Sequence, residues 1–199
     1  DPHRPGHELT YYPGEVNVRL ADVMIVNKVD SARKEDVETV IRNVRSINDN
    51  ARIIKANSVI TVEDPEAIKQ KRVLVVEDGP TLTHGGMLYG AGTIAAKKFG
   101  AKEIIDPRPY AVGTIHTVFQ DFPHIHAVLP AMGYSSEQMK ELEDTINASD
   151  CDIVLAGTPI DLGRLLKLNK PVIRVRYTIE EVDEKLDEII DEWLRSRGM

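Results

Sequence analysis

A four-residue motif, Asn-Lys-Val-Asp at 27–30, has the residue types and order that GTPases use to recognise guanine. It follows an apolar run and precedes a helical pattern, so it lies between a predicted strand and a predicted helix. We expect the Asp30 carboxylate to accept hydrogen bonds from the base edge while the Lys28 stem packs along the ring. The alternative is an ordinary Asn/Asp turn with a helix cap at the following serine. The predicted nucleotide-binding residues, including two after the next apolar run, are Asn27, Lys28, Asp30, Asn57 and Ser58.

A glycine-rich segment at 78–92 follows an apolar run that ends in two acids, Glu77 and Asp78. Glycines let the backbone approach an anion closely, and the N–H groups at the start of a helix suit phosphate. The spacing differs from Gly-x-Gly-x-x-Gly, which disfavours a dinucleotide site. A connection of this length without secondary structure is typical of a binding loop. The predicted phosphate-binding residues are Thr81, Thr83, Gly85, Gly86, Gly90, Gly92 and Thr93.

Three side chains in and near this segment are candidate catalytic residues. We expect Asp78 to orient magnesium or a proton, and His84 and Arg108 to clamp phosphate groups. Arg108 lies between two prolines, which limit its freedom, and the alternative for its segment is a rigid turn with a surface ion pair. Asp1 is the candidate Mg²⁺ ligand, because residues 1–8 look like a segment that follows a strand bearing a magnesium-linked Asp.

The elements that position these residues are short apolar runs alternating with helical patterns. This alternation predicts an α/β fold with largely parallel sheets and helices on both faces. In such sheets ligands bind at the carboxyl ends of the strands, where the candidate residues fall. Strands are expected at 21–27, 52–56, 72–77, 103–106, 127–130, 152–156 and 171–177, and helices at 36–47, 93–99, 114–121, 135–147, 161–168 and 179–195.

The composition is that of a globular protein and limits the partners. The formal net charge of -7 argues against a general nucleic-acid or membrane-surface binder, since both need a basic surface. A single cysteine excludes an internal disulfide, and no apolar run reaches the roughly 18 to 20 residues of a membrane span. We therefore expect a cytoplasmic protein, with homo-oligomerisation left open.

Six segments together resemble the archaeal cyclic 2,3-diphosphoglycerate synthetase family. They cover nearly the whole chain and lie at 1–8, 27–30, 76–87, 106–113, 129–134 and 157–162. The resemblance implies an ATP- and Mg²⁺-dependent ligase of a thermophilic archaeon, with GTP as the alternative nucleotide. Such an enzyme closes 2,3-diphosphoglycerate into a cyclic pyrophosphate and releases ADP and phosphate. The resemblance therefore implies a small acidic metabolite as the partner of this chain.

The resemblance implies that members of this family are longer proteins, in which a P-loop domain precedes the segment that corresponds to this chain. The chain opens on Asp1 and lacks the Gly-x-x-x-x-Gly-Lys-Ser/Thr loop. We therefore expect residues 1–70 to be the C-terminal part of a P-loop NTPase-like nucleotide-binding domain, and residues 71–199 to be a Rossmann-like α/β domain. Catalysis by this chain alone is not expected. Two alternatives are a GTPase-type switch or metallochaperone, favoured by GTP preference over ATP, and a non-catalytic binding module.

Overall fold

The computed structural model describes residues 1–133 and 135–198, so Tyr134, which belongs to one of the six segments, and Met199 lie outside the described residues. In chain order the strands are β1 (Val23–Val26), β2 (Arg52–Val62), β3 (Arg72–Asp78), β4 (Glu103–Ile104), β5 (Leu129–Ala131), β6 (Ile153–Gly157) and β7 (Val172–Glu181). The helices are α1 (His7–Thr10), α2 (Gly14–Leu20), α3 (Lys34–Ile47), α4 (Gly79–Thr83), α5 (Ala91–Lys98), α6 (Gly113–Asp121), α7 (Ser136–Ala148), α8 (Leu162–Leu165) and α9 (Leu186–Ser196), with a 3-10 turn at Arg108–Tyr110.

The chain divides into two compact units. Unit 1 comprises Asp1–Val59 and the chain from Thr178 onward, and unit 2 comprises Ile60–Tyr177. Within the described residues, none of the helices is long and apolar enough to cross a membrane.

Unit 1 is built on the parallel pair β1 and β2, aligned from Val23 opposite Arg52 to Val26 opposite Lys55. Helix α3 covers this pair with valines at 37, 40 and 44, which recur at helical spacing and are all buried. Acidic residues in the first turn of α3 and an arginine in the last turn complement the helix dipole. The apolar face of α3 is therefore what holds the end of β1 in place.

Unit 2 is centred on β3, whose residues 73–76 are fully buried. Strand β6 pairs with one side of β3, while β4 and β5 pair with the start and the end of its other side. Strand β7 pairs with β6, and all of these pairs are parallel. A continuous apolar run such as Val-Leu-Val-Val is what a parallel strand covered on both faces requires. The predicted α/β fold class with a largely parallel sheet is confirmed.

The structure corrects three sequence-based predictions of secondary structure. Residues 178–181 continue β7 instead of starting the last helix, because the helical apolar spacing begins only at Leu186. Strand β2 runs on to Val62, so Asn57 and Ser58 lie within a strand and not in a loop after it. The segment at 78–92 contains α4 and is not a structureless connection.

The chain from Thr178 onward belongs to unit 1. The expected division into a P-loop NTPase-like part at 1–70 and a Rossmann-like part at 71–199 stays a prediction. Acidic residues that follow β7 contact the start of β2. Arg52 pairs with Glu184 and donates to Glu192 at 2.6 Å, and the Lys55 amide donates to the Asp183 carboxylate at 3.0 Å. These contacts join positions far apart in sequence, which is why local patterns did not indicate them.

Candidate functional site

The motif at 27–30 forms a tight turn directly after β1. Lys28 adopts φ +65°, a left-handed conformation that is uncommon for a residue other than glycine. The Asn27 side-chain oxygen accepts a hydrogen bond from the Lys28 amide at 2.8 Å, and the Lys28 carbonyl accepts from the Ala32 amide at 3.1 Å. The Asn/Asp turn is thus present, whereas the helix cap expected at Ser31 is not, because α3 starts after Arg33.

The two predicted base-contacting segments lie side by side in unit 1. The Ser58 amide donates to Asp30 Oδ1 at 3.3 Å, and the Val29 amide donates to the Ala56 carbonyl at 3.1 Å. This neighbourhood follows from the parallel register of β1 and β2, which brings the residues after Val26 beside those after Lys55. Asp30 is exposed, and Asn57 is half-buried within β2.

Asp1, the predicted metal ligand, is held by a cation. Lys28 Nζ lies 2.7 Å from Asp1 Oδ2, while Asp1 Oδ1 accepts a hydrogen bond from the His3 amide at 3.1 Å. The neighbouring Glu8 accepts from Asn43 Nδ2 at 2.6 Å. No group of three or more His, Cys, Asp or Glu residues suited to hold a metal ion occurs within residues 1–133 and 135–198. Metal binding by Asp1 stays a prediction.

In unit 2, Glu77 is a buried carboxylate at the end of β3, with 1% of its surface exposed. Its Oε1 accepts hydrogen bonds from the amides of Gly90 at 3.0 Å and Thr93 at 2.9 Å and from the Thr93 hydroxyl at 3.2 Å. Its Oε2 accepts from the Gly92 amide at 3.3 Å. Burial raises the pKa of Glu77, and the hydrogen bonds from Thr93, Gly92 and Gly90 oppose that rise. Three of the predicted phosphate-binding amides therefore have a protein carboxylate as their partner.

Three glycines form a cage around this carboxylate. A Cβ at Gly90 would lie 2.6 Å from Glu77 Oε2, and a Cβ at Gly157 would lie 2.4 Å from the same atom. A Cβ at Gly92 would meet Val75 at 2.8 Å and Glu77 Oε1 at 3.3 Å. Glycine is the residue that these positions accommodate without displacing the carboxylate.

Asp78, a predicted catalytic residue, caps α4. Its Oδ2 accepts hydrogen bonds from the Thr81 amide at 3.2 Å and from the Thr81 hydroxyl at 2.7 Å. The Thr83 hydroxyl donates to the Gly79 carbonyl at 3.0 Å and is buried. These side chains thus stabilise the turn that follows β3, and both threonine hydroxyls have intramolecular partners.

His84, another predicted catalytic residue, is exposed at the end of α4, and its ring contacts Phe122 edge-on at a centroid distance of 6.5 Å. The Gly85 amide donates to the Pro80 carbonyl at 3.0 Å. Gly86 adopts φ +60°, and a Cβ there would meet nothing within 4 Å, so conformation and not space favours glycine. His84 and Gly86 are exposed and Gly85 is half-buried, so His84 and Gly86 are accessible to a ligand.

Arg108, the third predicted catalytic residue, forms a surface ion pair with Asp106. Such an ion pair was the alternative to phosphate binding for this segment. Its Nε lies 2.9 and 3.0 Å from the two oxygens of Asp106. The Arg108 side chain lowers the pKa of Asp106 and the Asp106 carboxylate raises the pKa of Arg108. No hydrogen bond joins any two of Asp78, His84 and Arg108 in the described part of the chain. Their joint catalytic role stays a prediction.

Comparison with known proteins adds one relative, while no family model matches the chain. The chain is 59% identical over 197 residues to arginine synthetase ArcE of Thermococcus kodakarensis. This chain is similar to a synthetase. The match covers 98% of the chain and 44% of that protein, so the chain spans less than half the length of the curated relative it matches.

The similarity agrees with the expectations of a ligase and of a thermophilic archaeal source. The name of the relative does not mention 2,3-diphosphoglycerate. The similarity therefore supports an archaeal synthetase, but not the cyclic 2,3-diphosphoglycerate synthetase family in particular.

Glu77 and Gly157 are the residues that sequence reasoning missed. The signal for Glu77 was an acid that ends the apolar run of β3 directly before a glycine-rich segment. An acid in that position continues a strand buried on both faces, and a buried carboxylate requires donors. No local signal marked Gly157, which is close to Glu77 only because β6 pairs with β3.

Proposed function

We propose that this chain is part of an ATP-dependent synthetase whose product is arginine. The supporting observation is the 59% identity that extends over 197 residues of the chain to a protein with that name. A synthetase couples bond formation to cleavage of a nucleoside triphosphate. The parent protein must therefore bind a nucleotide and an amino acid that carries a guanidinium group.

The nucleotide base is proposed to bind at the Asp30 edge of unit 1, the remnant of a P-loop NTPase-like domain. Asp30 is exposed, and its hydrogen bond from the Ser58 amide is long at 3.3 Å. Exchanging so long a bond for a donor of the base edge, either the N6 amino group of adenine or the N1 and N2 groups of guanine, costs little. The described residues fit base recognition better than a metal site built from protein ligands, and no step of the proposal depends on Mg²⁺ held by Asp1.

The amino acid is proposed to bind in unit 2, the Rossmann-like part. A carboxylate recognises a guanidinium through paired hydrogen bonds, and Asp106 already receives such donors from Arg108. A guanidinium ligand offers Asp106 the same donors. The net charge of -7 also suits a cationic product better than a substrate with two phosphates. Contacts with transferred phosphate are proposed for the stretch of His84, Gly85 and Gly86 near Thr81, in which His84 and Gly86 are exposed.

Formation of cyclic 2,3-diphosphoglycerate is the second candidate, favoured by the six segments that resemble that family. It belongs to the same enzyme class and differs in the charge of its substrate. In that reaction Arg108 and His84 clamp two phosphates, and proximity supplies much of the acceleration.

The test uses the reversibility of synthetases. The intact protein is incubated with arginine and Mg²⁺ together with ADP and phosphate, or with AMP and pyrophosphate, and ATP formation is measured. Arginine-dependent ATP formation, absent with lysine in its place, supports the proposal. If the protein instead releases ADP and phosphate only when ATP and 2,3-diphosphoglycerate are both present, the second candidate replaces the proposal. Binding of GTP alone, with neither activity, favours the switch protein.

A further inference from the structure

The N-terminus of α5 carries an anion that belongs to the protein itself. The three amides that point out of this end, from Gly90, Gly92 and Thr93, all donate to the Glu77 carboxylate at 2.9 to 3.3 Å. A helix start of this kind attracts phosphate in many proteins, since its amides have no partner within the helix. Here the partner comes from the neighbouring strand β3.

The contacts of Glu77 favour its ionised form. The three backbone N–H groups can donate but cannot accept, so a proton on the carboxyl oxygen that faces Gly92 gains nothing from that contact. Burial acts in the opposite direction and raises the pKa of Glu77. The acid is therefore retained at a cost in desolvation, which the hydrogen bonds offset only in part.

The cage leaves no room for a second anion beside the carboxylate. Even a single methyl group at Gly90 or Gly157 would lie within 2.6 Å of Glu77 Oε2. A phosphate group is far larger than a methyl group. Access to these amides thus requires that the Glu77 side chain leave.

We propose that Glu77 is a positioning residue that acts as the resident anion of the α5 N-terminus, fixing the turn at 90–93 and excluding phosphate from its three amides. Recognition of phosphate in unit 2 then falls to the stretch at 84–86, where His84 and Gly86 are exposed. The inference is independent of the arginine-forming activity, because it concerns which groups are available for any ligand.

The test is chemical rescue of Glu77→Ala by acetate, which has the size of the part of the side chain that is removed. We expect the substitution to lower Tm by about 10 °C, because three amides, two of them buried, lose their acceptor. Acetate at about five times its Kd raises the Tm of this variant by about 3 °C. Exchange of the amide hydrogens of Gly92 and Thr93 is faster in the variant and slows again with acetate. Wild type and the control Glu66→Ala, an exposed acid of the same unit, show no such response.

Two further measurements keep the proposal falsifiable if Glu77→Ala does not fold. Glu77→Gln keeps the shape of the side chain but replaces one acceptor by a donor that faces N–H groups. This variant therefore has a lower Tm than the wild type, and acetate does not raise it. Wild-type stability of Glu77→Gln, or no acetate response of Glu77→Ala, overturns the proposal. In the wild type, inorganic phosphate leaves the amide resonances of Gly90, Gly92 and Thr93 unshifted, and a saturable shift of these three overturns the exclusion.

Discussion

Two carboxylates, Asp30 and Glu77, lie at the carboxyl ends of parallel strands in the two units, and both accept hydrogen bonds from backbone amides. Asp30 is exposed and accepts one hydrogen bond, from the Ser58 amide at 3.3 Å. Glu77 is 1% exposed and accepts hydrogen bonds from three amides and a hydroxyl. The carboxyl edge of a parallel pair thus carries an exposed acceptor in unit 1, four residues after β1, and a buried one in unit 2, within β3. Burial, and not residue type, makes the difference.

The largest effect is expected where the cage in unit 2 is filled. Gly157→Ala should lower the free energy of unfolding by about 3 kcal/mol and Gly90→Ala by about 2 kcal/mol, because each new methyl group overlaps Glu77 Oε2. In a Glu77→Ala background the cost of Gly90→Ala should fall below about 0.5 kcal/mol, since its clash partner is gone. Gly157→Ala should keep more of its cost, because its Cβ also lies 2.7 Å from the Gly92 amide nitrogen.

Urea unfolding of the three single and two double variants measures this coupling. Gly86→Ala is a matched control for an added methyl group, because a Cβ there meets nothing within 4 Å and the cost is one of conformation alone. Equal costs of Gly90→Ala with and without Glu77 would contradict the steric role of the carboxylate and weaken the contrast between the units.

The next effect is on ligand binding and not on stability. Asp30→Ala should weaken nucleotide binding by the intact protein about tenfold, which is the loss of one charged hydrogen bond. Its free energy of unfolding should change by no more than about 0.5 kcal/mol, because the side chain is exposed. Isothermal titration calorimetry with ATP and GTP measures both affinities and shows which base the carboxylate selects.

Asp22→Ala is the control for Asp30, since it removes an exposed acid of the same unit just before β1. If Asp30→Ala lowered stability by several kcal/mol and left nucleotide affinity unchanged, Asp30 would resemble Glu77 and the comparison would fail.

Asp78 allows a structural role to be separated from a catalytic one. Asp78→Ala should lower the free energy of unfolding by about 1 kcal/mol, because the Thr81 amide loses its cap. Asp78→Asn keeps an acceptor and should be nearly as stable as the wild type. If Asp78 also orients a proton or a metal ion, Asp78→Asn loses turnover in the proposed reaction without losing stability. Unchanged turnover of Asp78→Asn would leave Asp78 as a helix cap only.

The sequence was sufficient for features that depend on local patterns. The apolar run of β3 and the valine spacing of α3 predicted a strand and a helix close to where they occur. The proximity of Asp30 to Ser58 was also predictable, since parallel strands bring their carboxyl ends together. The partner of the α5 amides was not predictable, because glycine-rich sequence is the same whether its amides meet a ligand or a buried Glu77. That choice is set by pairing of distant strands, as at Gly157.

The smallest effect is expected at Asp106 and Arg108, the exposed ion pair of unit 2. The hydrogen bond from Arg108 lowers the pKa of Asp106 below its ordinary value of 3.8. A carboxyl group whose pKa is lowered by folding stabilises the folded state at pH values above its ordinary pKa. This contribution is lost as the pH falls through the lowered pKa. Because solvent screens both side chains, we expect about 0.5 kcal/mol or less at neutral pH.

In Arg108→Ala the pKa of Asp106 should rise towards 3.8, which carboxyl ¹³C chemical shifts over an acid titration measure directly. Arg108→Lys keeps the charge but loses the paired donors, so it should give an intermediate pKa. The Tm of Arg108→Ala at pH 7 should change by no more than about 2 °C. A large loss of turnover with so small a change in stability would mark Arg108 as a contact for the ligand. Wild-type turnover would leave it, like Glu77, a residue that serves the protein itself.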